Sequence, residues 1–409
     1  MVKTAIGIVV VALVATGLVV EARSSSVAPV SHPPPKRLAP GAGTIGTPLV
    51  GVLNVSGRYF TTERAAGIDA VTVTVTWSDV EPAPGSYRRD ALASVEAEIV
   101  SARSQGLQVV LDPGLHYPPA WVFMLPGGTR FVDQYGDAFT GSGPAGNNVA
   151  NGVTDPAVRA AEGDYLTWLG HQIPSGSVVA VRQGGGPLGE LRYPRPDYNG
   201  HTNCYWAYDA STQATSPVPG WRPGTGTATQ AAAFLADYNA NLDEFGIWLN
   251  RHMAADFGTT LLVMLPGWGE RPGGAALEIA SLLTLPMPEF NEGLDWTELL
   301  RALPDASHSI AYTTYLDAPL IKPTPQLEDP ADYLAALVAG SPIGLGGENT
   351  GNGSTAAMRL CFRRARQLGL SIVEWMGEPQ LVATTRGQAS TGPTFNLLSA
   401  GADVWRPRQ

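Results

Sequence analysis

Val178-Val179-Ala180-Val181-Arg182-Gln183-Gly184-Gly185-Gly186-Pro187-Leu188-Gly189-Glu190-Leu191-Arg192-Tyr193-Pro194 joins a short apolar run to a glycine-rich turn bearing one carboxylate. Val178–Arg182 has the length and β-branched content of a buried strand. The glycines and Pro187 end it. Glu190 then stands just past the strand, beside Arg192 and Tyr193. In parallel α/β folds that edge is where chemistry is placed.

The same unit recurs along the chain. Apolar runs predict strands at Leu49–Val55, Ala70–Thr76, Leu107–Leu111, Val178–Arg182, Thr260–Leu265, Ser309–Tyr315, Ile343–Gly346 and Ser371–Glu374. Helical spacing marks Arg89–Gln105, Pro156–Leu169, Ala231–His252 and Ser354–Leu368. Strands alternating with helices give a parallel α/β sheet, and eight of them close a (β/α)8 TIM barrel. The stretches Asp112–Asn151 and Leu191–Thr227 follow strands and show little periodicity. Loops that long in a compact domain are usually functional.

Residues 48–409 are therefore expected to form one catalytic barrel. Ahead of it, the apolar run Ala5–Val20 behind Lys3 gives residues 1–22 as a signal peptide or a membrane anchor. Residues 23–47 are rich in Ser, Pro and Gly, which predicts an extended linker. The expected location is secreted or extracytoplasmic, with contact to a membrane only through that segment. A net charge of −10 offers no general attraction to nucleic acid. Cys204 and Cys361 have no CxxC or metal spacing, and one disulfide or two thiols both fit. Neither a metal motif nor a phosphate loop is present, so no cofactor is expected.

The strand ends carry the chemistry. Trp77 and Glu81 follow the second strand, His116 the third, Glu190 the fourth and Trp268 the fifth. Tyr315 follows the sixth, Glu348-Asn349 the seventh, and Glu374-Trp375 ends the eighth. Two glutamates facing each other across a barrel mouth, among aromatic rings, are what glycoside hydrolysis needs. Glu190 is the expected proton donor. Glu348 is the expected nucleophile or base, with Glu374 as the alternative second carboxylate. Trp77, His116, Arg192, Tyr193, Trp268, Tyr315, Asn349 and Trp375 are the candidate contacts to an oligo- or polysaccharide. Tyr315 is placed to hydrogen-bond the second carboxylate, Trp268 and Trp375 to stack on sugar rings. Glu81 reads as a loop cap or ion pair.

Gly186-Pro187-Leu188-Gly189-Glu190-Leu191-Arg192-Tyr193-Pro194, with Cys204-Tyr205 downstream, resembles the segment bearing the catalytic acid of β-amylases, glycoside hydrolase family 14. Gly67-Ile68-Asp69-Ala70-Val71 through Trp77, Val80-Glu81 and Tyr87 resembles the second strand of both β-amylases and family 42 β-galactosidases. Tyr117-Pro118-Pro119-Ala120-Trp121-Val122, followed by Asp133-Gln134-Tyr135-Gly136-Asp137, resembles the family 42 pattern after strand three. The resemblance to these clan A-like barrels spans residues 50–194 and is loose beyond. It implies Glu190 as the acid and, at the end of strand seven, Glu348 as the nucleophile. Two departures stand out. Gly189 occupies the place where clan A enzymes carry asparagine, and the second catalytic segment of β-amylases, Thr-Cys-x-Glu-Met, is absent. The alternative function is a barrel that binds carbohydrate without cleaving it.

Overall fold

The computed structural model describes residues 45–53, 55–141, 147–271, 274–284, 294–318, 329–351, 353–388 and 392–405. All belong to one unit, Pro35–Gln409. The expected signal or anchor, and nearly all of the linker, lie outside the described residues. Among the described residues no helix is long and apolar enough to cross a membrane.

Eight parallel strands close a barrel in sequence order: β1 (Leu49–Leu53), β2 (Ala70–Thr74), β3 (Gln108–Asp112), β4 (Ala180–Arg182), β5 (Thr260–Leu265), β6 (Ser309–Thr313), β7 (Gly344–Glu348) and β8 (Ile372–Met376). The seam is β1 on β8, with Gly51 opposite Glu374. The helices Arg89–Ser104, Pro156–Gln172, Ala228–Phe257, Pro330–Val338 and Thr355–Leu368 follow β2, β3, β4, β6 and β7. Asp155 caps Pro156–Gln172 by accepting from the Ala157 and Val158 amides, and a capping box of Thr227 and Gln230 starts Ala228–Phe257.

Side-chain parity along the strands sorts the core into two parts. Leu49, Ala70, Val110, Ala180, Leu262, Met264, Ile310, Tyr312 and Ile372 form the cluster inside the barrel. Residues of opposite parity, among them Val71, Val109, Val181, Val263, Val373 and Trp375, pack against the helices. Each Leu or Ile buried in this way contributes about 1.5–3 kcal/mol.

Several strand ends differ from the expectation by about two residues, and at β7 the reason is glycine. β7 runs through Gly346 and Gly347 to Glu348, and β8 continues to Met376. Glycine reads as a turn in sequence, yet here it makes room. A Cβ on Gly346 would lie 2.7 Å from Ile372 Cγ2 and 2.9 Å from Ile310 Cγ2. The strand needs its glycines to pack inside the barrel.

Two tryptophans lie elsewhere than expected, Trp375 through strand parity and Trp77 through the short helix Trp77–Val80 that follows β2. Trp375 points out of the barrel into the helical layer and is 1 % exposed, with its indole edge against Gly353. Trp77 is fully buried, stacks on Tyr165 at 5.0 Å between centroids, and donates its Nε1–H to Glu81. Glu81 also accepts from the Gly85 amide at 2.8 Å, which makes it a loop cap. Trp375→Ala is expected to lower the unfolding free energy by about 3–5 kcal/mol, because a large core cavity is left. The check is a urea midpoint shift at unchanged slope. A shift under about 0.5 kcal/mol would contradict the core placement.

Candidate active site

The strand ends on the C-terminal side enclose a cavity of about 330 Å³ that holds Glu190, Glu348, Arg182, His116 and Asp112. A larger groove of about 600 Å³ lies outside the barrel, between Pro156–Gln172 and Ala228–Phe257. It faces helices rather than strand ends, so the mouth cavity is the one built like a barrel active site.

Glu190 is delivered by a tight turn. The Gly186 amide donates to the Glu190 carbonyl at 2.8 Å. A Cβ on Gly186 would lie 2.3 Å from the Arg192 carbonyl, so only glycine fits. Gly189 has φ +73°, and a Cβ there would lie 3.0 Å from the His116 ring. A side chain at this position would crowd the imidazole. Between them Leu188 sits at φ +64°, ψ +13°, a left-handed conformation costing roughly 1–2 kcal/mol for a residue with a Cβ. Arg192 Nη1 donates to Glu190 Oε2 at 3.3 Å.

Glu348 ends β7 and points inward. Its Oε2 accepts from Arg182 Nη1 at 2.8 Å and from the Tyr312 hydroxyl at 2.9 Å. Glu374 Oε2 converges on the same two donors, at 3.1 Å from Arg182 and 2.9 Å from Tyr312. Thr72 donates to the other Glu374 oxygen, Oε1. One guanidinium therefore faces two buried carboxyls. Burial pushes the Glu348 carboxyl up to about 7, against the pull of Arg182, and the charges of Glu374 and Glu190 add to the rise. Burial, then the charges of Glu348 and Glu374, hold the Tyr312 phenol well above its ordinary range, so it remains a neutral donor.

Inward parity accounts for this network. Arg182, Tyr312, Glu348 and Glu374 all share the barrel-facing phase of their strands. Space for it comes from Gly51, where a Cβ would lie 2.8 Å from Glu374 Cγ. Arg182→Met is expected to cost about 3–5 kcal/mol, since two carboxyls would lose their cation. Thermal or urea unfolding of the variant at pH 7 checks this, and unchanged stability would contradict it.

Across the cavity His116 Nε2 lies 3.8 Å from Asp112 Oδ2. Burial, with help from the Arg182 charge, lowers the His116 pKa although Asp112 opposes the shift. The ring is therefore neutral at pH 7. Asp112 is fixed by Thr74 Oγ1 at 3.1 Å and by the Gly114 amide at 2.9 Å. Asn349 also borders the cavity, while its amide group ties β7 to β8 through the Met376 amide and carbonyl at 2.7 and 3.2 Å.

No family model matches the chain, and no curated protein matches it. The chain is similar in structure to the catalytic domain of β-amylase from Paenibacillus polymyxa, with TM-score 0.62 and 15 % identity over 88 % of this chain and 99 % of that one. It is also similar to the β-galactosidase of the Antarctic haloarchaeon Halorubrum lacusprofundi, with TM-score 0.56 and 15 % identity over 87 % of this chain and 57 % of that one. A third likeness is to the β-galactosidase of the psychrophilic Marinomonas ef1, with TM-score 0.52 and 14 % identity over 80 % of this chain and 53 % of that one. What is shared is the barrel. The chain spans just over half the length of the two β-galactosidases.

Of the residues nominated from sequence, Glu190, Glu348, His116, Arg192, Tyr315 and Asn349 line this one cavity. Tyr193 does not: it is 2 % exposed, donates its hydroxyl to the Tyr238 carbonyl and stacks on that ring. Trp77 and Trp375 belong to the core, as described above. Trp268 is half-buried beyond β5 and is not part of the cavity wall. Glu374 is 0 % exposed and lies beneath the wall, on Arg182. The hydroxyl that grips Glu348 is that of Tyr312, whereas the expectation placed it at Tyr315. Sequence reading missed Arg182, Tyr312 and Asp112 as site residues. A lone charge in an apolar strand was the available signal for Arg182. Both cysteines are buried, and neither is in a disulfide. Among the described residues no cluster of His, Cys, Asp or Glu is arranged to hold a metal ion.

Proposed function

We propose that this chain is a glycoside hydrolase in which Glu190 protonates the leaving glycosidic oxygen and Glu348 acts on the anomeric carbon, as nucleophile or through water. One observation carries the reading: two carboxyls line a single cavity at the barrel mouth, and one of them is held by two donors on the same oxygen. With Oε2 engaged by Arg182 and Tyr312, the Oε1 oxygen is left to face substrate. A base with a pKa near 7 is matched to neutral pH. His116, Asp112 and Arg192 supply neutral, negative and positive partners for sugar hydroxyls.

The likeness in fold to β-amylase and β-galactosidases supports a saccharide substrate. The apolar run at residues 5–20 is the basis for proposing action outside the cytoplasm, and it lies outside the described residues. Testing uses α- and β-glucosides and galactosides, with Glu190→Gln as the control. Hydrolysis that Glu190→Gln reduces on the order of 10³-fold supports the reading. Binding without hydrolysis in the wild type would favour the non-catalytic carbohydrate-binding barrel instead.

A further inference from the structure

The cavity is polar below, and its rim carries apolar side chains beside the polar Thr350, Asn147 and Arg192. Arg182, Glu190, Glu348 and His116 are all buried. The cavity-lining residues that reach solvent include Leu188, 60 % exposed, and Tyr117, 37 % exposed, with Tyr315 and Met376 half-buried. Only six large apolar side chains are exposed among the described residues, and two of them meet at this mouth. Leu188 also stands in a left-handed backbone conformation between Pro187 and Gly189, one residue removed from Glu190. Glycine or asparagine would relieve that position. Leu188 is thus a mostly exposed apolar residue in a strained conformation beside the proposed proton donor, and such strain concentrates at functional sites.

From this we infer that the enzyme's preferred substrates are glycosides of apolar alcohols or phenols, with the sugar on the polar floor and the aglycone against Leu188 and Tyr117. The inference rests on the glycoside hydrolase reading and names the leaving-group side of the same site. Glu190 protonates the bond that joins the two halves, so the group it releases must lie next to the turn that carries it. Leu188 is on that turn. An apolar leaving group there removes its own surface and that of Leu188 from water, while a sugar hydroxyl would meet no partner on that side chain.

The test compares methyl, phenyl and n-octyl glucosides and galactosides of both anomeric forms, below micelle-forming concentrations. Both kcat/KM and binding by calorimetry are measured. The octyl or phenyl compound is expected to exceed the methyl one by about 10-fold or more in kcat/KM, mostly through KM, given the apolar area involved. In Leu188→Asn, which suits the left-handed backbone and so is not at risk of misfolding, that ratio is expected to fall to within about threefold of unity. Tyr117→Ser is expected to lower it as well. Equal kcat/KM and equal binding for methyl and octyl compounds in the wild type would overturn the inference. So would a ratio that Leu188→Asn leaves unchanged. Absence of hydrolysis throughout would sink the hydrolase reading alone, because the binding ratio still reports on the rim.

Discussion

Glu348→Gln is expected to lower kcat on glycosides by about 10³-fold or more while leaving the barrel folded, since glutamine keeps the shape of the side chain and an acceptor for Arg182 and Tyr312. The loss should be in kcat rather than KM, because the missing group acts on the reacting atoms. The wild-type pH profile gives an independent readout. Burial holds the Glu348 pKa at about 7, and the proposed mechanism uses the ionised form. Activity should therefore rise with pH through about 7, before any alkaline decline. Steady-state kinetics of both proteins from pH 5 to 9 check this. Full activity in Glu348→Gln, or a profile that falls through pH 7, would contradict the assignment.

The second large effect is on stability, and it runs the other way with pH. Burial raises several carboxyls far above their ordinary range: Glu63 to about 8, Glu162 to about 8, Asp243 to about 8 and Glu278 to about 9. Glu348 joins them at about 7. Neighbouring acids add to the burial effect at Glu63, which faces Glu378, and at Glu278, which faces Glu270. Glu162 Oε2 and Glu278 Oε1 have no hydrogen-bond partner among the described residues, which is tolerable for a neutral carboxyl and costly for a charged one.

These groups hold protons in the folded state that the unfolded chain releases near pH 4.5. A raised pKa of this kind contributes stability that is fully present below the unfolded value and is lost as pH rises through the folded value. The window thus opens near pH 5 and closes near pH 9. Neutral His116 adds an opposite slope on the acid side, where unfolding lets the ring charge. Five carboxyls outweigh one imidazole, so stability is expected to fall continuously from about pH 5 to pH 9, by at least several kcal/mol. Urea unfolding across that range measures it, with Glu278→Gln flattening the alkaline limb. Constant stability from pH 5 to 9 would contradict the protonated state of these carboxyls.

The two effects meet at Glu348. In the proposed mechanism its charge is needed for activity while its surroundings oppose it, so the same residue would set the rising limb of the rate and part of the falling limb of stability. Arg182 makes that compromise workable. Without it, two inward carboxyls would share one phenol and no cation.

How much of this was legible in sequence depended on which physical signal each residue leaves. The barrel was, because eight apolar runs alternate with helices and glycine-rich strand ends are easy to see. The position of Glu190 at the barrel mouth was, because a glycine turn that presents a carboxylate has few packing uses. Glu348 was, because it follows the seventh run. The inner wall was harder. Whether Tyr312 or Tyr315 reaches a carboxyl, and whether Glu374 or Trp375 faces the barrel axis, depends on strand phase. A shift of one residue exchanges the two faces. β7 gave no help with phase, because Gly344, Gly346 and Gly347 carry no side chains to alternate. Trp77 and Tyr193 looked like sugar contacts because aromatic rings near strand ends serve both packing and binding. The Tyr193 hydroxyl finds its partner, the Tyr238 carbonyl, on a distant helix, whereas the Trp77 indole donates to Glu81 one turn further along the same segment. The pKa of Glu348 depends on a network drawn from β4, β6 and β8, which only the closed barrel assembles.

The most direct test of the central claim, that Glu190 and Glu348 cleave glycosidic bonds in the mouth cavity, is a proton NMR time course. Wild type, Glu190→Gln and Glu348→Gln are each incubated with the α- and β-glycoside panel. The account predicts that the wild type releases reducing sugar as a single initial anomer from at least one glycoside, and that each variant does so on the order of 10³-fold more slowly. Release of sugar at wild-type rate by either variant, or no release from any glycoside by the wild type, would contradict it.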